Sequence, residues 1–332
     1  MNWKIRAVLV SIITYCTCFC VTVCLCVFGI IGKIGRIDGT PPVYVAESFD
    51  IDTDREDTIH EEEIVFMTSS RIRPSEDVIN ILLVGKDVKE GEPERGRTDS
   101  MILVSLNRNE KKISMVSFMR DCYVMIPGYS NNKLNAAYNI GGYELLDETI
   151  KLNFGIDIDY NVGVNFTSFT KIIDQIGGID VELTQEEADY ILKKTKKKEG
   201  LSAGMNHLSG KQALWYARTR YVGTETESND FGRTSRQRLV LQTVCSTVSG
   251  MPINELTSMA YEMAGDIETD MSVPDMISLG TELYGMGISG INSYRIPCGN
   301  EYTDEVINRM MVLVIDFDKA QQHLDEWLYM PE

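Results

Sequence analysis

Histidine is nearly absent from this chain of 332 residues, which has three. His60 lies in an acid-rich segment, His207 in the turn GMNHLSG and His323 in the C-terminal helical stretch. None belongs to an H-E-x-x-H helix or a Ser-His-Asp arrangement, which argues against histidine-based hydrolysis. Cysteine is scarce where it would be informative. Of the eight, Cys16, Cys18, Cys20, Cys24 and Cys26 fall in one apolar run, where they act as small hydrophobes. Cys122, Cys245 and Cys298 are too few and too scattered for a disulfide framework or a zinc site. Cations are also in deficit, with 32 Lys and Arg against 49 Asp and Glu and a formal net charge of −17. That balance argues against a nucleic-acid binder, whose contacting face carries a basic excess. It leaves room for a small, localised anion.

Charge of either sign is missing altogether from residues 7–31, AVLVSIITYCTCFCVTVCLCVFGII. A run of this length spans a hydrocarbon core of roughly 30 Å. Lys4 and Arg6 precede it, which makes residues 1–6 a short cytoplasmic tail; Lys33 and Arg36 follow closely and weaken that asymmetry. A cleaved signal peptide is the competing reading, with an apolar region of about 7–15 residues and a small-residue exit. This run is longer and has no such exit, so one uncleaved transmembrane helix in the cell membrane is expected, with everything after it extracellular. Residues 32–75 then read as a solvated acidic stalk, dense in carboxylates from 50 to 63 and matching no EF-hand loop.

The remainder, 76–332, has hydrophobic content enough for a sizeable core. INILLVG (79–85), MILVSLN (101–107), ISMVSFM (113–119), YNVGVNF (160–166) and GINSYRIP (290–297) read as buried strands. Helices are expected over 134–152, despite the Gly141-Gly142 pair, and over 167–175, 209–217, 233–249, 253–264, 273–284 and most of 303–328. The alternation predicts a single α/β domain with helices on both faces of one sheet.

Chemistry-bearing residues gather where these strands end. Asp87 follows one strand and Asp99 precedes the next, so two neighbouring strands would bring both carboxylates to one sheet end. Two carboxylates with open positions suit Mg²⁺; turn-capping aspartates are the plainer alternative. Arg97 adds a phosphate-compatible cation beside them, Arg120-Asp121 follows a third strand, and Lys133 opens the next helix. The rim of such a sheet is where α/β proteins usually bind ligands.

The stretch ARTRYVGTETESNDFGRTSRQR (217–238) concentrates Arg218, Arg220, Arg233, Arg236 and Arg238 in an acidic chain. Arg218 and Arg220 are two apart and point the same way if extended. Arg233, Arg236 and Gln237 share a side of the following helix. Arginines in a first helical turn oppose the macrodipole, which a bound anion would offset. Arg238 lies off that face and reads as surface. Guanidinium groups give bidentate recognition of phosphate oxygens, so the whole set suits a diphosphate.

VGKD, GRTDSMILVS, SFMRDCYV, NKLNAAY, IGGIDVEL, LSGKQALWYARTRY and DFGRTSRQR stand in the order of the LytR-CpsA-Psr family, which the chain resembles over about 80–243. The resemblance implies an α/β/α sandwich with a lipid pocket and a central mixed sheet. It implies a phosphotransferase that moves an anionic glycopolymer, wall teichoic acid or capsular polysaccharide, from a polyprenyl diphosphate carrier to peptidoglycan. A lipid-diphosphate hydrolase and a non-catalytic regulator are the alternatives. By the same resemblance Asp87 and Asp99 would hold Mg²⁺; Arg97, Arg120, Lys133, Arg218, Arg220, Arg233 and Gln237 would surround the diphosphate; and Arg120, Asp121 and Asp230 would serve catalysis. Met119 and Cys122 depart from the family's usual proline and small hydroxyl residue, and the Arg220–Arg233 loop is long.

Overall fold

The computed structural model describes residues 35–37, 55–66, 75–87, 97–197, 199–220, 229–252, 255, 258, 259, 262, 265, 267–286 and 291–330. The expected transmembrane run lies outside them; among the described residues no helix is long and apolar enough to cross a membrane. In chain order the elements are β1 (Gly35–Arg36), β2 (Val78–Asp87), β3 (Arg97–Asn107), β4 (Lys112–Phe118), β5 (Tyr123–Val124), β6 (Asn132–Lys133), α1 (Leu134–Phe154), β7 (Tyr160–Asn165), α2 (Phe166–Gln175), β8 (Ile179–Leu183), α3 (Gln185–Thr195), β9 (Gly204–Leu208), α4 (Gly210–Ala217), α5 (Asn229–Ser249), β10 (Glu268–Thr269), α6 (Val273–Met286), β11 (Ile291–Ile296), β12 (Tyr302–Ile307), β13 (Met310–Ile315) and α7 (Phe317–Leu328).

A seven-stranded sheet runs in the order β1-β10-β7-β2-β3-β4-β11. Its centre, β2-β3-β4, is antiparallel, while β7 and β11 add on parallel to β2 and β4, so the sheet is mixed. The near-continuous apolar strands follow from cover on both faces. Leu82, Val84, Met101, Leu103, Val116 and Phe118 pack under α1 and α7, which supply Leu146, Ile150, Phe154, Leu324 and Leu328. Ile102, Leu106, Ile113 and Met115 meet Met271, Leu279 and Leu241 on the opposite side. The expected layering of helix, sheet and helix is therefore present.

Helix α1 continues across the Gly141-Gly142 pair only through a kink, with Gly142 at φ 69° and ψ −152°. A side chain at that φ is strained, which explains why glycine interrupts an otherwise helical stretch.

The C-terminal stretch departs from the sequence-based expectation. Only Phe317–Leu328 of 303–328 is helical; Tyr302–Ile307 and Met310–Ile315 pair as an antiparallel hairpin. Asn308 and Arg309 take φ 50° and 61°, the paired left-handed turn that matches strand twist. The run MMVLVI is a strand by its β-branched content, and Asn-Arg is a weaker turn signal than Asn-Gly. This hairpin also holds residues 55–66, within the expected free stalk. The Thr58 amide donates to the Val306 carbonyl at 2.9 Å, and the Arg309 amide to Asp57 Oδ1 at 2.8 Å. Ile59, Ile64 and Phe66 pack on Tyr123, Ile307, Met310 and Val312. Three apolar anchors are enough to dock that part of the acidic segment.

One half-buried carboxyl, Asp147, ties β7 to α1. Asn161 of β7 donates from Nδ2 to Asp147 Oδ2 at 2.7 Å and to Asp270 Oδ2 at 3.0 Å. Burial raises Asp147 to about 7, with Asp270 adding to the shift and the Asn161 bond opposing it. Its Oδ1 has no hydrogen-bond partner among the described residues, so only the Asn161 bond offsets the burial of its charged form. The folded protein thus keeps a proton that the unfolded chain releases above about pH 4. Folding stability falls as pH rises from about 4 to about 7, then levels off. Asp147→Asn should raise the denaturation midpoint at pH 8 and leave it unchanged at pH 4. Equal shifts at both pH values would refute this role for Asp147.

Candidate functional site

Four strands deliver their chemistry to one rim of the sheet. The register pairs Lys86 with Asn165, Asp87 with Arg97, and Met101 with Phe118, so β2, β4 and β7 end where β3 begins. The β2–β3 ladder slips by one residue there: Gly85 pairs with Ser100, but Lys86 pairs with Thr98. Asp99 is the extra residue of a β-bulge. In an unbroken ladder Asp99 would oppose Lys86 and lie on the face away from Asp87. The slip makes Arg97 the partner of Asp87 and leaves Asp99 two residues along from Arg97, at the same end of the ladder. The hard oxygen donors of Asp87 and Asp99 are of the kind that fits Mg²⁺, although both oxygens of Asp99 are engaged by Arg120 and Arg220.

Asp99 is also a hub for guanidinium groups. Arg120, just beyond β4, donates from Nη1 to Asp99 Oδ1. Arg220 Nη2 lies 3.3 Å from Asp99 Oδ2, and Arg233 Nη2 donates to the Asp99 carbonyl at 3.1 Å. Asp230, in the first turn of α5, takes the other side of the same three residues. It lies 2.9 Å from Arg120 Nε, 3.2 Å from Arg220 Nε and 3.2 Å from Arg233 Nη2. Asp121 completes the set, 3.3 Å from Arg120 Nε and 2.9 Å from Lys133 Nζ. Four cations and three carboxylates thus interlock at a place where three strands and a helix meet. Arg233 reaches the cluster across the long loop, whose residues 221–228 lie outside the described ones together with Glu225 and Glu227.

Helix α5 begins at Asn229, four residues before the expected start at 233, which puts Asp230 in its first turn. An acid there complements the macrodipole and offsets part of the cost of Arg233. It does not satisfy Arg233. That side chain is 3% exposed, and its Nε and Nη1 have no hydrogen-bond partner among the described residues. Gln237, about one turn on, likewise buries an unpartnered Oε1. Buried guanidinium donors without acceptors are costly, and an anion supplies acceptors.

The electrostatics are strongly coupled. Burial opposes charge on Arg120, yet Asp121, Asp99 and Asp230 outweigh it and raise its pKa further. Burial also raises the Asp230 carboxyl above its ordinary range, against the pull of Arg120 and Arg220. Asp230 therefore sits closer to the working range of a general base than a solvated aspartate does.

The arginines of 217–238 do not act as one group. Arg218 caps α4 and stacks 4.2 Å above the Phe166 ring and 5.2 Å from that of Trp215, with no ion pair to a described carboxylate. Sequence reasoning misses this aromatic platform, although Trp215 three positions before Arg218 is a helical-neighbour signal. Arg236 is not a ligand-facing helper. It is 7% exposed and donates from Nε to buried Glu187 at 2.7 Å, binding α5 to α3. At 3.6 residues per turn, Gln237 lies about 40° from Arg233, whereas Arg236 lies about 60° away on the other side. Arg238 is buried rather than on the surface. Its Nε donates to Ser293 Oγ at 2.7 Å, and burial, then the neighbouring Arg295, lowers its pKa to about 10. Arg97 is placed by its backbone opposite Asp87; its side chain is not among the described ones.

The Arg236–Glu187 pair gives a control for structural arginines. Glu187→Ala should cost about 3–5 kcal/mol by stranding a buried guanidinium, whereas the apolar pair Glu187→Leu with Arg236→Met should stay within about 1 kcal/mol of the parent or exceed it. Chemical denaturation of the three proteins measures this, and equal losses in the single and double variants would contradict it. A separate cavity of about 300 Å³, lined by Ser75, Asp77, Val78, Asn107, Asn109, Glu110 and Tyr329, sits at the opposite end of β2 and β3. It cannot share a ligand with the cation cluster.

Residues 44–326 match the model of the LytR_cpsA_psr family. Regulatory protein MsrR of Staphylococcus aureus is 34% identical over 229 residues, 68% of this chain and 66% of that protein. The polyisoprenyl-teichoic acid–peptidoglycan teichoic acid transferase TagT of Bacillus subtilis is 32% identical over 213 residues, 62% of this chain and 64% of its own length. The matched part thus spans just under two thirds of each relative. TagT bound to LIIa-WTA superposes with a TM-score of 0.64 at 26% identity, covering 78% of this chain and 95% of that one. TagT has also been solved with bound octaprenyl pyrophosphate lipid, at a TM-score of 0.60, 25% identity and coverage of 79% and 94%.

Proposed function

The chain belongs to the LytR-CpsA-Psr family, and on that premise we propose that it is a phosphotransferase that attaches an anionic glycopolymer to peptidoglycan from a polyprenyl diphosphate carrier. The observation that carries the proposal is Arg233. A guanidinium buried to 3% exposure, whose Nε and Nη1 have no hydrogen-bond partner among the described residues and whose Nη1 lies 3.8 Å from Asp99 Oδ2, with two further arginines beside it, is arranged for an anion with several oxygens. A diphosphate has them. The TagT structures, solved with LIIa-WTA and with an octaprenyl pyrophosphate lipid, support the same ligand class.

In the proposed reaction a peptidoglycan sugar hydroxyl attacks the glycan-side phosphorus in line. The bond from that phosphorus to the bridging oxygen breaks, polyprenyl monophosphate leaves, and a phosphodiester joins polymer to acceptor. Arg120, Arg220 and Arg233 exchange their carboxylate partners for phosphate oxygens and stabilise the charge that grows on the bridge. Lys133, which pairs with Asp121, together with Arg218, Arg97 and Gln237, would complete the set around the diphosphate. Mg²⁺ held by Asp87 and Asp99 would neutralise further diphosphate charge. Asp121 and Asp230 both touch Arg120 and are the candidates to take the hydroxyl proton. Burial raises the Asp230 carboxyl above its ordinary range, which suits that role. In this proposal the chain is a single-pass protein of the cell membrane with its catalytic domain outside.

The test supplies lipid-diphosphate glycan and Mg²⁺ with or without peptidoglycan oligomers and follows polyprenyl monophosphate. A transferase releases it only when the acceptor is present. Equal release without acceptor would make the protein a hydrolase, and tight binding without release a regulator.

A further inference from the structure

Far along the chain from the arginine cluster, three different metal-binding side chains converge. Cys298 Sγ, a Glu301 carboxylate oxygen and a His323 ring nitrogen all lie within 4.8 Å of one another. We propose that these residues form a zinc site. Nothing in the sequence signals it, because its donors are split between the β11–β12 turn and α7, and Cys298 is isolated in sequence from the other cysteines.

Each donor is held in place by a separate device. The amide of Glu301 donates to the Cys298 carbonyl at 3.0 Å, closing a turn that sets thiol and carboxylate side by side. His323 projects from α7 with Nε2 3.0 Å from Glu301 Oε2. Its ring stacks on Trp327, centroids 5.0 Å apart at 9°, and Trp327 stacks on Tyr294 at 4.3 Å and 3°. That stack fixes the imidazole plane. The second ring nitrogen, Nδ1, lies 3.9 Å from Glu326 Oε2. That separation is longer than a hydrogen bond, and a small rotation of Glu326 would make it the carboxylate that supports a ligating imidazole in zinc sites.

The chemistry of the set selects the ion. A thiolate with an imidazole is too soft for Mg²⁺ or Ca²⁺ and suits Zn²⁺. Three protein ligands leave a fourth position for water. Tetrahedral zinc places its donors about 3.5 Å apart, so small rotamer changes bring this trio to bonding distance. The alternative, a thiol activated by a neighbouring imidazole, fits less well: Cys298 Sγ makes no hydrogen bond to His323 among the described residues. An ion pair alone explains the approach of Glu301 to His323, whereas it leaves the converging sulfur without a role.

The ion would pin α7 to the turn after β11. That turn is joined to the arginine site. Arg295 donates from Nε to the Pro297 carbonyl at 3.0 Å and from Nη2 to the Gly299 carbonyl at 3.3 Å. The same guanidinium lies 4.0 Å over the Phe231 ring, next to Asp230 in the first turn of α5. Zinc here braces the floor beneath the site and takes no part in its chemistry.

The full chain in detergent, reduced and stripped with chelator, is titrated with Zn²⁺ against a chromophoric competitor and separately with Co²⁺. Wild type should give a thiolate-to-cobalt charge-transfer band. Cys298→Ser and His323→Gln should each bind one equivalent of zinc fewer, or bind it at least about 100-fold more weakly. Glu326→Gln should weaken it by about 10-fold, the lower end for loss of a supporting contact. The cysteines of residues 7–31 are common to all proteins and cancel in the comparison. A measurement on wild type alone covers the case of a variant that fails to fold: Zn²⁺ should slow alkylation of Cys298, read on its own peptide by mass spectrometry, at least about tenfold. Equal zinc uptake by wild type and folded variants, absence of the cobalt band, or an unchanged alkylation rate would each overturn the site.

Discussion

Arg120→Ala is expected to lower the transfer rate by at least about 10²–10³-fold, the scale seen when one fixed donor to a developing charge is removed. Arg120 is the only described residue whose side chain touches all three carboxylates of the cluster, Asp99, Asp121 and Asp230. Its guanidinium therefore sets the spacing of those acids and, once they give it up, faces the diphosphate. The alanine protein also loses stability, because three neighbouring carboxylates are left in each other's field with less compensation. Arg120→Lys separates the two effects. Lysine restores a positive charge and most of the stability, but a single ammonium cannot bridge three acids or grip two phosphate oxygens at once. The lysine protein should unfold near the wild-type midpoint and still be at least about tenfold slow, since the planar fork is what bidentate recognition requires. Wild-type rates in either folded variant would remove Arg120 from the mechanism.

Asp99→Asn is expected to have the second-largest effect, again about 10²–10³-fold on the transfer rate. The substitution keeps shape and removes the charge on which Arg120 and Arg220 converge. It also halves the proposed metal pair. Two readouts divide those roles. If Asp99 only positions arginines, the variant is slow at every Mg²⁺ concentration, with the same half-saturating Mg²⁺ as wild type. If it holds the ion with Asp87, half-saturation shifts upward, by about tenfold or more for loss of one charged ligand of two. The second pattern is the expected one. An unshifted Mg²⁺ dependence would leave Asp99 as an arginine anchor alone.

Much of this rim is legible in the sequence, and for a physical reason. Strand cores announce themselves by apolar runs, so Arg120 and Asp121, just beyond one, are placed by the strand they flank; Asp87 and Asp99, expected just outside their strands, lie within β2 and β3, because the ladder runs on past the apolar residues. Asp230 and Arg233 are harder to place because a long loop intervenes; the contacts of Arg233 to Asp99, and of Asp230 to Arg120 and Arg220, decide their position. The bulge at Asp99 is invisible in the sequence, since a one-residue slip leaves no compositional trace, yet it decides which face the carboxylate takes. Arg236 and Arg238 escape sequence reasoning for a different reason. A helix packed on two sides buries more than one stripe, and sequence spacing cannot say which arginine meets Glu187 and which meets Ser293. The hairpin of β12 and β13 reads as helix because a short apolar run carries no clear period. His323 and Cys298 look unrelated because residues distant in sequence become neighbours only through that hairpin and α7.

The central claim is that the interlocked arginines serve group transfer to a sugar hydroxyl. The most direct measurement incubates the full chain in detergent with synthetic polyprenyl-diphosphate glycan, peptidoglycan oligomers and Mg²⁺, and follows the products by mass spectrometry. The expected product is a conjugate whose mass equals glycan plus one phosphodiester plus peptidoglycan, formed in equal amount with polyprenyl monophosphate. Free glycan phosphate with no conjugate, from protein shown to be folded, would contradict it.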